Sequence, residues 1–372
     1  MAVPMIDLRA QYRAIKPEID AAVAEVFESQ GFVGGPKVEQ FESAIARYLG
    51  VEHALSVASG TDALLLALKA AGVKEGDEVI TTTFSFFATA GAIANAGAKP
   101  VFVDIEPATF NIDVARIESH VTDRTRAIVP VHLYGQCADM DPIMSIAGRV
   151  HDLRVIEDAA QSLGARYKDR PACTLGDAAA VSFYPTKNLG GAGDGGAVVT
   201  RDHQLGGLVR LLRAHGGDRT YYHRIVGTNS RLDAIQASVL NVKLKYLDAW
   251  NLRRRERAAY YDALLADVAE VVTPKEAPGN FHVYHQYVIR LPRRDEAKTL
   301  LTRKGIGCAV FYPLPLHRQQ CFQHLGYADE DFPAASRACK EVLALPMYAE
   351  LTPEQQNEVV ATVKEHLAAP SA

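Results

Sequence analysis

"HALSVASGTDALLLALKAAGVKEGDEVITTTF" (residues 53–84) holds a short strand-like run, a helical stretch and a second strand-like run in direct succession. In "HALSV" apolar residues cluster as in a buried strand, and in "GTDALLLALKAAG" they recur at helical spacing. "DEVITTTF" returns to β-branched residues. The rhythm continues through "FFATAGAIANAG", "KPVFVDI", "RAIVPVHLYG", "LRVIEDAA", "AAAVSFYP" and "GAVVT", as far as about residue 200. Strands alternating with helices predict an α/β domain, a mostly parallel sheet covered on both faces. Ligands of such sheets sit beyond the carboxyl ends of the strands, which singles out Ser59, Gly60, Thr61, Asp158, Gln161 and Ser182.

Downstream the text changes character. Residues 232–268 carry apolar positions at helical spacing with charges between them, which predicts one long helix leaving the large domain. After "TPKEAPGN" come strand-like "FHVYHQYVIRL", helical "DEAKTLLTRKG", strand-like "CAVFY" and terminal helices, the pattern of a smaller α+β domain. A chain of 372 residues exceeds what one core usually supports. The expected division is an N-terminal segment (1–30) packing across the domains, a large domain (31–250) and a small C-terminal domain (251–372).

Composition narrows the function classes. With 23% charged residues and a net charge of -4, nothing points to nucleic acid, and no basic block interleaved with aromatics is present. The five cysteines are scattered without a paired spacing, as expected in a reducing compartment. No leader-like pattern opens the chain and no apolar run reaches membrane-spanning length, so the expected location is the cytoplasm, away from membranes. His282 and His285 of "HVYH" fall on opposite faces of the predicted strand, and no metal site is expected.

Three motifs carry chemistry. "VASGTDAL" (57–64) runs from a strand end through Gly60 into a helix whose free N–H groups suit a phosphate, although Ser59 or Thr61 serves equally well as a simple N-cap near Asp62. "VIEDAAQSLGA" (155–165) ends a strand with Glu157 and Asp158 and places Gln161 in the next turn. A carboxylate there suits a protonated ring nitrogen, or only caps the turn. "SFYPTKNLGGAGDGG" (182–196) spells G-x-G-x-x-G from Gly191 to Gly196, but strand-like "AVVT" follows where a dinucleotide fingerprint needs a helix. What survives is Ser182 and Lys187, leading into glycines that would let a bulky cofactor approach the backbone. A phosphate seat, a ring-nitrogen carboxylate and an amine able to bond an aldehyde are together the parts of a pyridoxal 5′-phosphate site.

These stretches, with "MIDLRAQY", "GPKVEQFESAIARYLG", "YGQCADMDPI", "NSRLDAIQA" and "FYPLPLHRQ", resemble the DegT/DnrJ/EryC1/StrS sugar aminotransferases over nearly the whole chain. The resemblance implies the fold of a fold type I aminotransferase, with a mostly parallel mixed sheet in the large domain. It implies pyridoxal 5′-phosphate as cofactor, Lys187 as the lysine that links to it, Asp158 as the partner of its ring nitrogen and Gln161 beside the ring. Gly60, Thr61 and Ser182 would hold the phosphate, joined by Asn229 from a neighbouring subunit in a homodimer with shared active sites. Phe86, or failing it Phe87, would stack on the ring.

The implied substrates are L-glutamate and a nucleotide-linked keto sugar, with Phe32, Thr186, Arg231, Tyr312 and His317 as candidate sugar contacts. "HGGDRTYYHRIVGTNSRLD" and "YGQCADMDPI" are most similar to the branch acting on 3-keto sugars. That branch often has His before the tyrosine of "FYP", and Phe311 departs from this, which weakens the case for a uronate substrate. The competing expectations are transfer to carbon 4, a non-catalytic sugar-nucleotide-binding or regulatory protein, and a pyridoxal-phosphate enzyme of free amino acids or thiols.

Overall fold

In the computed structural model, which describes residues 2–369, the alternating stretch folds into a seven-stranded sheet. Met1 and residues 370–372, the outer ends of the first and last expected segments, lie outside the described residues. The strands are β1 (His53–Val57), β2 (Glu78–Thr82), β3 (Lys99–Val103), β4 (Thr125–Val129), β5 (Arg154–Asp158), β6 (Ala178–Ser182) and β7 (Gly196–Thr200). Their order is β1-β7-β6-β5-β4-β2-β3. β7 pairs antiparallel with β1 and β6, and the other pairings are parallel.

Helices line both faces because every strand is apolar on both. Ile80, Ile128, Val155 and Val199 face a core shared with α2 (Pro36–Leu49), α5 (Met140–Arg149) and α7 (Ala234–Leu244). Val79, Val129, Ile156 and Val198 face the other core, with α3 (Gly60–Ala70), α4 (Ala88–Asn95) and α6 (His203–Leu212). Full burial of each such side chain contributes about 1.5–3 kcal/mol. The same alternation decides the site, for it sends Glu157 and Asp158 to opposite faces of β5.

The long helix expected over 232–268 is two helices, α7 and α8 (Leu247–Leu265), parted at Lys245 and Tyr246. Packing forces the break: Val239 and Val242 of α7 meet α1 (Leu8–Ser29), whereas Ala258, Tyr261 and Leu265 of α8 enter a different core. That second core holds β8 (Tyr287–Arg290), β9 (Val342–Leu345), α9 (Arg294–Arg303) and α11 (Pro353–Ala368). α10 (Pro333–Glu341) packs beside β8 and β9 against Phe84 and Phe102. The N-terminal stretch touches several cores. Val3 pairs with Ile306, and Ile15 and Ile19 of α1 pack with Trp250. Pro17 lies inside α1, and Ile15 just before it has non-helical angles, as expected where a proline removes a backbone donor.

Two strand expectations fail. "HVYH" is not extended: Tyr284 has φ 42°, and the segment crosses Gly135, with Val283 N donating to the Gly135 carbonyl at 2.9 Å. "CAVFY" contributes only the Ala309–Ala344 bridge, on the edge of β9 away from β8, a strand missed within "terminal helices". Among the described residues no helix is long and apolar enough to cross a membrane, and no group of three metal-binding side chains forms.

Candidate active site

β5 delivers two carboxylates with different fates. Glu157 is fully buried and accepts backbone N–H bonds from Cys173 (2.8 Å), Leu175 (2.7 Å) and Gly176 (2.9 Å). His132 completes the set. Its Nδ1 accepts from Ala138 N at 3.1 Å, so its Nε2–H donates to Glu157 at 2.8 Å. Glu157 is thus saturated by the fold. Asp158, on the other face, accepts from Thr89 Oγ1 at 2.7 Å and from Ala160 N at 3.2 Å. Burial raises its pKa, opposed by these two donors and by the charge of Lys187.

Lys187 follows β6 in a turn closed by its own N–H on the Tyr184 carbonyl at 2.8 Å, with Thr186 half-buried beside it. Burial lowers its pKa to about 8, and the carboxylate of Asp158 holds it from falling further. A half-buried lysine whose charge acts on the buried carboxylate of Asp158 is the central electrostatic feature of the site.

The start of α3 meets the end of β6. Ser59 is the N-cap, accepting from Asp62 N at 3.1 Å, which leaves Thr61 exposed in the first turn. A Cβ on Gly60 would lie 2.6 Å from Ser182 Cβ, so Gly60, Ser182 and the free N–H groups of α3 share one small cradle. Sequence inspection missed Ser230, whose Oγ donates to Asp62 Oδ2 at 2.6 Å and accepts from Ala58 N at 3.1 Å. Asn229 and Arg231 flank it with exposed side chains.

Gln161 Oε1 accepts from Tyr134 N at 2.7 Å, which orients Nε2 to donate to the Tyr312 hydroxyl at 3.2 Å. The Tyr312 O–H is left free to donate. Phe86, 58% exposed, lies 6.3 Å from the Tyr312 ring, whereas Phe87 stacks on Phe322. Of the two, Phe86 is the ring open to a ligand on this side. His317 is buried, with Nδ1 bonded to Thr83 at 2.7 Å and Nε2 to Asp329 at 3.2 Å, so both ring nitrogens are engaged by the protein. Phe32 packs edge-on against Phe27, and its carbonyl accepts from Ala234 N. Arg231 lines a separate cavity of about 380 Å³ with Arg210, Arg213 and Ser56. Within one protomer the fold therefore gathers Lys187, Asp158, Gly60, Ser182, Gln161, Tyr312 and Phe86 near the strand ends. Phe32, Asn229 and Arg231 stand apart.

The glycines after Lys187 differ from expectation. A Cβ on Gly191 or Gly193 would press on Gln236, one on Gly195 on Leu232, and one on Gly190 on the Pro185 carbonyl. They admit the protein's own chain. The sequence profile of the DegT/DnrJ/EryC1/StrS aminotransferase family matches residues 13–364.

The chain belongs to that aminotransferase family.

This aminotransferase is 53% identical over 367 residues, 98% of each chain, to a pleiotropic regulatory protein of Geobacillus stearothermophilus. It is 43% identical over 366 residues, again 98% of each, to a UDP-N-acetyl-3-dehydro-alpha-D-glucosamine 3-aminotransferase of Acidithiobacillus ferrooxidans. The crystal structure of S. venezuelae DesV superposes with a TM-score of 0.96 at 41% identity, covering 100% of both chains. The fold is that of a fold type I aminotransferase. In this aminotransferase Gly60→Ala is expected to weaken binding of a phosphate-bearing cofactor at least about tenfold, because the new methyl would displace Ser182. Equilibrium dialysis measures it, and unchanged affinity would remove Gly60 from the phosphate seat.

Proposed function

We propose that this aminotransferase transfers an amino group from L-glutamate to a nucleotide-linked 3-keto sugar, with pyridoxal 5′-phosphate as cofactor, in the cytoplasm. The product is an amino sugar for polysaccharide or glycoconjugate synthesis. The observation that carries this is the half-buried Lys187, electrostatically coupled to the buried Asp158, beside the cradle of Gly60 and Ser182. The residues fit the cofactor: an amine of lowered pKa for its aldehyde, a buried carboxylate for its ring nitrogen, and helix N–H groups with a serine for its phosphate. When bound, the cofactor supplies an electron sink for the pair left when the donor's α-carbon loses its proton.

The chain's own groups do the rest. Gly60, Thr61 and Ser182 hold the phosphate, and Asp158, itself oriented by Thr89, keeps a proton at the ring nitrogen. Phe86 would stack on the cofactor, and Gln161 would set the Tyr312 hydroxyl to donate toward the sugar, with Thr186 as a further contact. With the cofactor bound, Lys187 Nζ would take the proton from the donor's α-carbon and, as the general acid, deliver it to the cofactor's former aldehyde carbon. Only the unprotonated amine can do so. Proton removal from α-deuterated glutamate, followed in single turnovers, is therefore expected to rise with pH through about 8 and level off above it. A flat profile would exclude Lys187 as the base.

Asn229 is proposed to reach the phosphate of a second subunit, Arg231 the sugar's diphosphate and Phe32 the sugar's outer side, whereas His317, buried and bonded to Thr83 and Asp329, is withdrawn as a sugar contact. Support for a homodimer comes from the hairpin preceding them, where Tyr221 is 91% and Val226 95% exposed. Apolar side chains left that open suit a second copy of the chain. The division at residues 30 and 250 is part of the same proposal. A regulatory role is the second reading, favoured by the name of the Geobacillus relative. Mass spectrometry of products from purified enzyme, L-glutamate and a panel of UDP- and TDP-linked 3-keto and 4-keto sugars tests both. Transfer to none overturns the substrate class, and transfer to 4-keto sugars alone moves the reaction to carbon 4.

A further inference from the structure

Next to Lys187 a run of side-chain hydrogen bonds has only one consistent direction. Asn188 Nδ2 donates to the Val283 carbonyl at 3.2 Å and to Asn251 Oδ1 at 2.7 Å. A carbonyl only accepts, so the Asn188 amide is fixed in orientation. Asn251 Nδ2 in turn donates to the Leu163 carbonyl at 3.2 Å, and Gly164 makes room for it, since a Cβ there would lie 2.4 Å from that nitrogen. Asn188 Oδ1 therefore faces His285 Nδ1, 3.1 Å away, and Nδ1 must carry the proton.

Burial, with the positive charges of Lys187 and Arg254, keeps the imidazole neutral. Nε2 is then a bare acceptor. His285 is only 7% exposed, and among the described residues no group is hydrogen-bonded to its Nε2. Among the described residues the protein gives this lone pair no donor of its own, so a donor that reaches it gains a hydrogen bond the fold has left unmade. The charge of Lys187 acts on this ring more strongly than that of Arg254, even though Arg254 Nη1 donates to the His285 carbonyl at 3.3 Å. The other charges facing the pair are Asp158, from β5 toward Lys187, and Glu350, beside Arg254.

We propose that His285 is a positioning residue for Lys187, its Nε2 accepting a hydrogen bond from the lysine amine whenever that amine is free of the cofactor. This rests on Lys187 being the linking lysine. The chain from Leu163 to His285 locks the acceptor's tautomer, so the amine is held in one place between its two proton transfers instead of swinging among rotamers.

Two measurements on cofactor-free protein test it. Nitrogen-15 NMR of histidine-labelled protein, with the His285 signal identified by its loss in His285→Gln, is expected to show a neutral ring protonated on Nδ1. The pH dependence of Lys187 labelling by an amine-reactive ester, read by mass spectrometry, is expected to move down by roughly one pH unit in His285→Phe, the size of a lost hydrogen bond to a charged group. His285→Gln, which keeps an acceptor oxygen, is expected to recover part of that shift. In the holoenzyme kcat should fall about tenfold in His285→Phe with KM nearly unchanged. A ring protonated on Nε2, or an unmoved lysine midpoint, overturns the proposal. An Nε2-protonated ring in the native protein overturns the proposal even if His285→Phe does not fold. The predicted tautomer and shift in a protein that aminates no sugar would sink the functional reading alone.

Discussion

Lys187→Ala is expected to lower amino transfer by about 10⁴-fold or more, leaving a folded protein that still binds pyridoxal phosphate. The size follows from the amine's two tasks, covalent attachment and proton transfer, of which general acid–base catalysis alone contributes about 10²–10⁴-fold. Folding should survive because among the described residues no group is hydrogen-bonded to the Lys187 amine, and its burial works against its charge. Removing a lysine whose pKa is lowered in the folded state relieves a cost at neutral pH. Product mass spectrometry measures the loss, and absorbance near the visible edge reports cofactor held without a covalent link. Activity within tenfold of the native enzyme would sink the assignment of Lys187.

Adjacent carboxylates are expected to separate chemistry from stability. Asp158→Asn should reduce turnover by about 10²–10⁴-fold, because an amide cannot hold the ring nitrogen protonated, while its oxygen still accepts from Ala160 N, its N–H can donate to the Thr89 hydroxyl instead, and stability changes little. Glu157→Ala should do the reverse. It strands three backbone N–H groups and the Nε2–H of His132 in a fully buried site, at a cost of about 3–5 kcal/mol. Thermal melts should register a fall of roughly 5–10 °C. Loss of stability in Asp158→Asn with full turnover, or the converse for Glu157→Ala, would overturn the division of labour drawn from the pleat of β5.

Much of this was legible in the sequence, for stated reasons. The seven strands were readable because buried parallel strands are continuous apolar runs, and Asp158, Gln161 and Ser182 follow directly from where such runs end. What was not legible is the fate of Glu157, since only packing shows that it is spent on the backbone of residues 173–176 and on His132. Residues brought in by long-range contacts left no local signal: Thr89 lies inside a run of alanines, Ser230 was overshadowed by Asn229 and Arg231, and His285 read as a strand residue. The α7–α8 break was hidden because apolar spacing continues through Lys245 and Tyr246 while the partner core changes. The glycine run misled in a further way, since small residues signal close approach but not what approaches.

Ser230 has a consequence for how the enzyme behaves on dilution. Its hydroxyl couples the segment bearing Asn229 and Arg231 to the first turn of α3, the turn proposed to hold the phosphate. If a second subunit steadies that segment, occupancy of the phosphate seat and association of the two chains become linked equilibria, each favouring the other. Cofactor would then leach from dilute enzyme faster than from concentrated enzyme, and added pyridoxal phosphate would draw separated chains back together.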